Sequence, residues 1–215
     1  MAADRAEPFQ IALIGLRDRL REGVLPPGER IAAADIAADL RLSATPVREA
    51  LSRLAGEGLL EDRRGQGFFV RALTAVDIAD LYGMSWAELE IAHDPQRTTL
   101  RRLPAPGTGA AIKITDPVRD VERLFFGWIA ETGSPALIAA HRTTQILLGP
   151  VRRAEPQLFD DLSIEAAELR GSDPRDPGGH WGPVVRRFHE RRIALADRLA
   201  GLLGADDEDQ NYIPI

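Results

Sequence analysis

The chain has 215 residues, 44% of them hydrophobic and 28% charged, with no cysteine and a formal net charge of -6. This suits one large or two unequal globular domains, and it excludes disulfides, thiolate metal sites and cysteine nucleophiles. No apolar run reaches the roughly 18 to 20 residues of a bilayer span, and no basic segment leads into an apolar core at the N-terminus, so the expected location is cytoplasmic, with no membrane partner. The charge is uneven. Residues 1–72 hold eleven Arg against eleven Asp plus Glu, so the front third is neutral and the remainder carries the whole -6. Such a balance argues against non-specific coating of nucleic acid, yet a neutral domain still binds DNA if its arginines gather on one face.

Residues 1–8 read as a flexible leader ending at Pro8. A helix is expected from Phe9 to Glu22, with Ile11, Leu13, Ile14, Leu16 and Leu20 toward one side and Gly23 closing it. After a Pro26-Pro27-Gly28 turn, Ala32 to Leu40 predicts a short helix and Arg41-Leu42 a tight connection. Ser43 is placed to cap the next helix with its hydroxyl, and Pro46 falls in the first turn, where a missing N–H costs nothing. On this helix, expected to end near Gly56, Val47, Ala50, Leu51 and Leu54 form an apolar face, while Thr45, Arg48 and Ser52 lie on another. Residues 59–63 and 68–71 then read as two strands joined through Arg64-Gly65-Gln66-Gly67, with glycines where hairpins demand them. Helix, turn, helix and hairpin in this order describe a winged helix-turn-helix, a unit that offers one helix to the DNA major groove.

Gly23, Pro27-Gly28, Ile31, Ile36-Ala37, Ser43, the run Thr45-Pro46-Val47-Arg48-Glu49-Ala50-Leu51, Leu54, Glu57-Gly58-Leu59, Gly65, Gly67 and Val70 carry a resemblance. Together they are similar to the GntR family of bacterial transcription regulators over roughly residues 11–71. The resemblance implies a DNA-binding domain over 9–72. Arg48 would reach base edges, and Ser43, Thr45, Ser52, Arg63, Arg64, Gly65, Gln66 and Gly67 would complete the contact surface, mainly at phosphates. That family usually has Arg at Ala44 and an acidic residue near Ala33, so weaker docking is expected.

Everything after Val70 is helical by pattern, giving a mostly α chain with an all-helical bundle over 73–204 and a solvated tail over 205–215. Thr74 with Asp77 reads as a capping pair for a helix reaching about His93. Prolines and glycines interrupt 94–116, where Thr98 to Leu103 has room for a turn or two. Helices follow over Pro117 to Glu131, Pro135 to about Arg152 and Leu158 to Leu169. Residues 172–182 read as a surface loop, and one long amphipathic helix is expected from Pro183 to Leu203.

This half resembles the FadR-like subfamily, whose helical domain commonly holds a metal with one Asp and three His. The resemblance puts Phe126 at the histidine of an Asp-x-x-Phe-His helix, with Glu122 at the acid, or Asp120 in a shifted register, and Asp161 at a second histidine. His189 alone matches in kind. One imidazole and a carboxylate are too few for a first-row metal, so no metal or other cofactor is expected. His93 and His141 read as helix-surface or helix-end residues. A metal-free effector pocket would draw on Trp86, Glu122, Phe125, Phe126, Trp128 and His189, with Arg142 or Arg186 for a carboxylate, although each aromatic also reads as ordinary core. Trp181 reads as a lid or dimer contact. The expected protein is a homodimeric repressor on a palindromic double-stranded operator, responding to a small metabolite and not an enzyme. A dimeric scaffold or an enzyme reusing the fold is the rival.

Overall fold

A computed structural model describes residues 7–94, 116–172 and 180–204. The expectations for the leader, for Thr98 to Leu103, for most of the 172–182 loop and for the tail lie outside these residues.

The first helix, α1 (Pro8–Arg21), ends as Gly23 implied. Gly23 takes φ +68°, and the amides of Gly23 and Val24 return to the carbonyls of Leu20 and Arg19, a Schellman closure. Its buried face differs from the expected one. Ala12, Leu13, Leu16 and Leu20 go inside, whereas Ile11 stays half-exposed and Ile14 is 57% exposed. Two helices follow, α2 (Ala33–Leu40) and α3 (Ala44–Gly56). The turn between them sets Arg41 at φ 56°, a left-handed conformation that a non-glycine residue adopts at some cost. Strands β1 (Leu60–Arg63) and β2 (Gly67–Val70) pair antiparallel, with Leu60 opposite Val70 and Arg63 opposite Gly67. The Pro27-Gly28 turn extends this sheet, since the Ile31 amide donates to the Phe68 carbonyl and the Val70 amide to the Glu29 carbonyl. Leu16, Leu20, Ile36, Val47, Leu51, Leu54, Leu59 and Val70 fill the core beneath.

The second half begins at α4 (Ala75–His93), where Thr74 accepts from the Asp77 amide and the Asp77 carboxylate accepts in return from the Thr74 amide. Then come α5 (Pro117–Ala130), α6 (Pro135–Ala154), a 3-10 turn at Glu155–Gln157, α7 (Leu162–Gly171), α8 (Trp181–Ile193) and α9 (Ala196–Leu202). The single closing helix expected from Pro183 is therefore two. It breaks at Ala194-Leu195, and Leu195, at φ -115°, leaves helical geometry before α9 starts. Around α4, the side chains of Ile78, Leu89, Phe125, Ile129, Leu148, Val151, Leu169, Val185, Phe188 and Leu199 make the bundle core.

The two halves meet along α1 and α6. Ile146 of α6 is 6% exposed and belongs to the core of the N-terminal unit. Gly149, one turn on, lies so close to α1 that an added Cβ would come within 2.1 Å of the Arg21 carbonyl oxygen. Glu22 pins the same joint, accepting from Arg119 at 2.8 Å and from Arg153 at 3.2 Å. Arg153 reaches on to both Glu122 oxygens, at 2.8 and 2.9 Å.

Candidate functional site

α3 is held from behind and open in front. Val47, Ala50, Leu51 and Leu54 are completely buried, which fixes the helix against α1 and the sheet. A polar clamp sets its C-terminal end: Glu57 accepts from Arg17 of α1 at 2.7 Å and from Arg53 at 2.8 Å. Burial pushes the Glu57 carboxyl up, but these two arginines outweigh it and hold its pKa below the usual value. With α3 so fixed, Thr45, Arg48 and Ser52 are all exposed on its free side. Arg48 is exposed and forms no hydrogen bond or ion pair among the described residues, so its guanidinium is available to an outside acceptor.

Ser43 precedes α3 in extended geometry, as an N-cap residue should, but its hydroxyl makes no capping bond, contrary to expectation. The hydroxyl is left exposed. At the wing, Arg64, Gly65 and Gln66 form an exposed tip and Gly67 is half-buried beneath Arg30, whose Nε would lie 3.3 Å from an added Cβ. Arg63 is less free than the sequence suggested. It donates to Glu61 at 2.8 and 3.0 Å and stacks over Phe69 at 4.2 Å, so an outside phosphate would compete with a carboxylate for its guanidinium. Sequence reasoning passed over Arg30 and Arg41, both exposed, one beside the wing glycine and one in the turn before α3. A basic residue inside the helix-turn-helix connection was the available signal.

The eight residues expected to share an effector pocket occupy three places. Phe125 and His189 stack in the packed bundle interior, centroids 5.5 Å apart at 17°. Trp128 continues this stack on the Phe125 ring, centroids 5.7 Å apart at 28°, and lies edge-on to Trp181 and His93 at about 6 Å. Trp181, partly buried, packs against the bundle core. Trp86 and Arg186 form a cation–π pair toward the surface, 5.4 Å apart. Only Glu122, Phe126 and Arg142 line a common space, a cleft of about 630 Å³ between α1, α5 and α6. Phe126, where the resemblance would put a metal ligand, lines this cleft and is 38% exposed.

Where the resemblance would seat a metal, the donors present do not fit one. His189 has both ring nitrogens engaged: Nδ1–H donates to the Val185 carbonyl at 2.7 Å, and Nε2 accepts from the Ser85 hydroxyl at 3.2 Å. Burial, reinforced by the positive charges of Arg152 and Arg192, pushes its pKa down to about 3, so it stays neutral. Glu122 is held by Arg153, and Asp161 by Arg191 at 2.8 Å, which keeps the Asp161 carboxyl below its usual range. Among the described residues no group of three or more His, Asp or Glu side chains could hold a metal ion.

Ion pairs hidden from the sequence pattern occupy the bundle interior instead. Arg192, fully buried, donates to Glu155 at 2.8 and 3.0 Å and to Glu165 at 2.9 Å, and lies 3.4 Å over the Phe188 ring. Tyr82 donates to Glu155 at 2.5 Å; burial and this carboxylate hold its hydroxyl well above the usual pKa. His141 is not the surface residue expected. It is fully buried, 2.7 Å from Glu88, whose other oxygen accepts from Thr144 at 2.8 Å. Beside the Arg152–Arg192 cluster the free space is only about 10 Å³, room for about one water.

A buried-back helix, a short turn and a two-stranded wing make the first unit a winged helix-turn-helix. Residues 14–70 match the bacterial regulatory proteins of the gntR family, so this unit is a GntR-type winged helix domain. The Nta operon transcriptional regulator of Aminobacter aminovorans is 52% identical over 56 residues, 26% of this chain and 27% of that protein. A probable D-xylose utilization operon transcriptional repressor of Paenarthrobacter nicotinovorans is 44% identical over 61 residues, 28% of this chain and 27% of that one. The chain thus spans about a quarter of the length of these relatives. The structure of E. coli McbR/YncC matches the whole architecture, with a TM-score of 0.61 over 90% of this chain and 98% of that one; at 17% identity this shows a shared fold.

Proposed function

We propose that the protein is a sequence-specific DNA-binding transcription regulator, a repressor that binds a palindromic operator as a homodimer. The observation that carries this reading is the exposed face of α3: Thr45, Arg48 and Ser52 stand on a helix whose opposite face is entirely buried, with Arg48 unpaired among the described residues. Arg48 reads a base edge, for which guanine O6 and N7 are the usual partners. Ser43, Arg64 and Gln66 hold phosphates, and Gly65 and Gly67 let the wing backbone approach. The helical domain pairs the two heads, so that the two-fold axis of the dimer matches that of the operator.

A gel shift with the DNA flanking the gene tests the proposal. The wild-type chain retards this DNA as a dimer. Arg48→Ala loses discrimination between operator and random DNA, whereas Arg64→Ala weakens both about equally. Equal behaviour of the two variants would remove the assignment of roles, and no retardation by the wild type would remove the function.

A further inference from the structure

Residues 1–72 hold as many acidic as basic side chains, so the pull of this unit on a polyanion depends on which of its guanidinium groups remain free. Ten arginines lie between residues 7 and 72. Six of them already face a carboxylate: Arg17 and Arg53 share Glu57, Arg19 faces Asp39, Arg21 faces Asp18, Arg63 faces Glu61 and Arg71 faces Asp77. The other four, Arg30, Arg41, Arg48 and Arg64, are exposed and have no hydrogen-bond or ion-pair partner among the described residues. Arg48 stands on the free side of α3 and Arg64 at the wing tip, both within the surface proposed to meet DNA. Arg30 and Arg41 adjoin that surface. The backbone of Arg30 bridges Phe69 of β2 and its guanidinium lies over Gly67, while Arg41 ends α2 two residues before Ser43.

Arg41 occupies an uncommon place for an arginine. It closes α2 at φ 56° and ψ 43°, its amide returning to the Ala38 carbonyl at 3.2 Å and that of Leu42 to the Ala37 carbonyl at 2.9 Å. Glycine is the usual residue at this point of a Schellman closure, and a side chain there carries a conformational cost that glycine avoids. Nothing within the fold offsets the cost, because the guanidinium is exposed and makes no bond among the described residues. A strained residue with a free charged group is accounted for by a partner outside the chain.

We infer that Arg30 and Arg41 are two further phosphate anchors of the DNA-binding unit, Arg41 at the start of α3 and Arg30 beside the wing, an assignment that rests on the operator-binding reading. The fork of a guanidinium donates two parallel hydrogen bonds, which suits the oxygens of a phosphate. Phosphate contacts carry no sequence information, so Arg30 and Arg41 set affinity and salt dependence and leave the choice of sequence to Arg48. With Arg64, each head then grips the backbone through three arginines.

Salt titration of the full chain on two duplexes, one carrying the DNA that flanks the gene and one of random sequence, tests the anchors. Arg41→Gly removes the guanidinium and the strained side-chain conformation together, so it melts no lower than wild type. It nevertheless binds both duplexes more weakly, by about tenfold per lost contact, and the slope of log K against log salt falls by about one unit per lost contact. Arg41→Lys, which keeps the charge, restores most of the slope. Arg30→Ala weakens both duplexes as Arg41→Gly does. Arg19→Ala, which removes the same charge from a position facing Asp39, leaves the slope unchanged. Undiminished binding with an unchanged slope overturns the role of whichever residue was replaced. A loss confined to the flanking duplex makes that residue a base reader and overturns its role as an anchor. An equal fall in slope for Arg19→Ala overturns both anchors, because charge would then act without regard to position. A wild type that retards neither duplex overturns the operator reading and the anchors with it, whereas a wild type that binds beside variants that bind equally well overturns the anchors alone.

Discussion

Replacing Gly149 by alanine tests how the two halves are joined. The added methyl would lie 2.1 Å from the Arg21 carbonyl oxygen and 2.6 Å from the Arg21 Cα. Both obstacles are backbone, so no side-chain rotation gives relief. Ordinary contact begins near 3.4 Å, and α1 and α6 must part by roughly 1.3 Å along that line. Forced overpacking costs about 1–3 kcal/mol. The alternative is to open the joint, which uncovers Ile146 and forfeits about 1.5–3 kcal/mol of burial. Whichever route is cheaper sets the loss, so the chain should melt roughly 3–9 °C lower. Thermal unfolding followed by circular dichroism measures this, and hydrogen exchange should quicken in the last turn of α1. A variant melting within about 1 °C of wild type, with unchanged exchange, would refute the close approach of these helices.

Three further outcomes follow from the same geometry. If Arg64 holds a phosphate, as proposed, Arg64→Ala should lower the salt dependence of DNA binding by about one unit in the slope of log K against log salt, measured from 50 to 200 mM salt. Arg192→Ala leaves the buried Glu155 without its cation, while Glu165 keeps Arg191, and should cost about 3–5 kcal/mol in urea unfolding; a loss below about 1 kcal/mol would mean that water already reaches the cluster. His189 should make stability depend on pH. Its folded pKa, about 3, lies below the unfolded 6.5, so the unfolded chain binds the proton first and stability falls as pH drops below 6.5. Between pH 8 and pH 5 this one group should remove about 2 kcal/mol, and His189→Gln should flatten that part of the profile.

The DNA-binding unit was legible because its signals are local. Gly23 ends α1 and Val47 to Leu54 repeat at helical spacing, each within a few residues; in the bundle, Thr74 with Asp77 marks the start of α4 in the same local way. Where local pattern misled, a neighbour distant in sequence decided. Ile14 fits an apolar face but borders the cleft, while the small Ala12 takes the buried place against α3. Phe125 and Phe126 are adjacent, hence about 100° apart on α5, and only packing shows that the first goes inward. His141 and Arg192 look like surface residues until Glu88 and Glu155 are seen opposite them. The face that Thr45, Arg48 and Ser52 share was readable from spacing alone, whereas the loss of Arg63 to Glu61 and Phe69 was not.

Ile146 gives the chain an unequal kind of modularity. Relatives share the first quarter of the sequence, which invites the picture of a head that evolution exchanges freely between bodies. Yet one stone in the wall of this head is supplied from the middle of α6, more than seventy residues after β2 ends. A head transplanted here from another regulator would have to accept Ile146 and the bare backbone at Gly149, and this head moved elsewhere would carry an open seam. Recombination in such a lineage is constrained less by the linker than by two residues far from it.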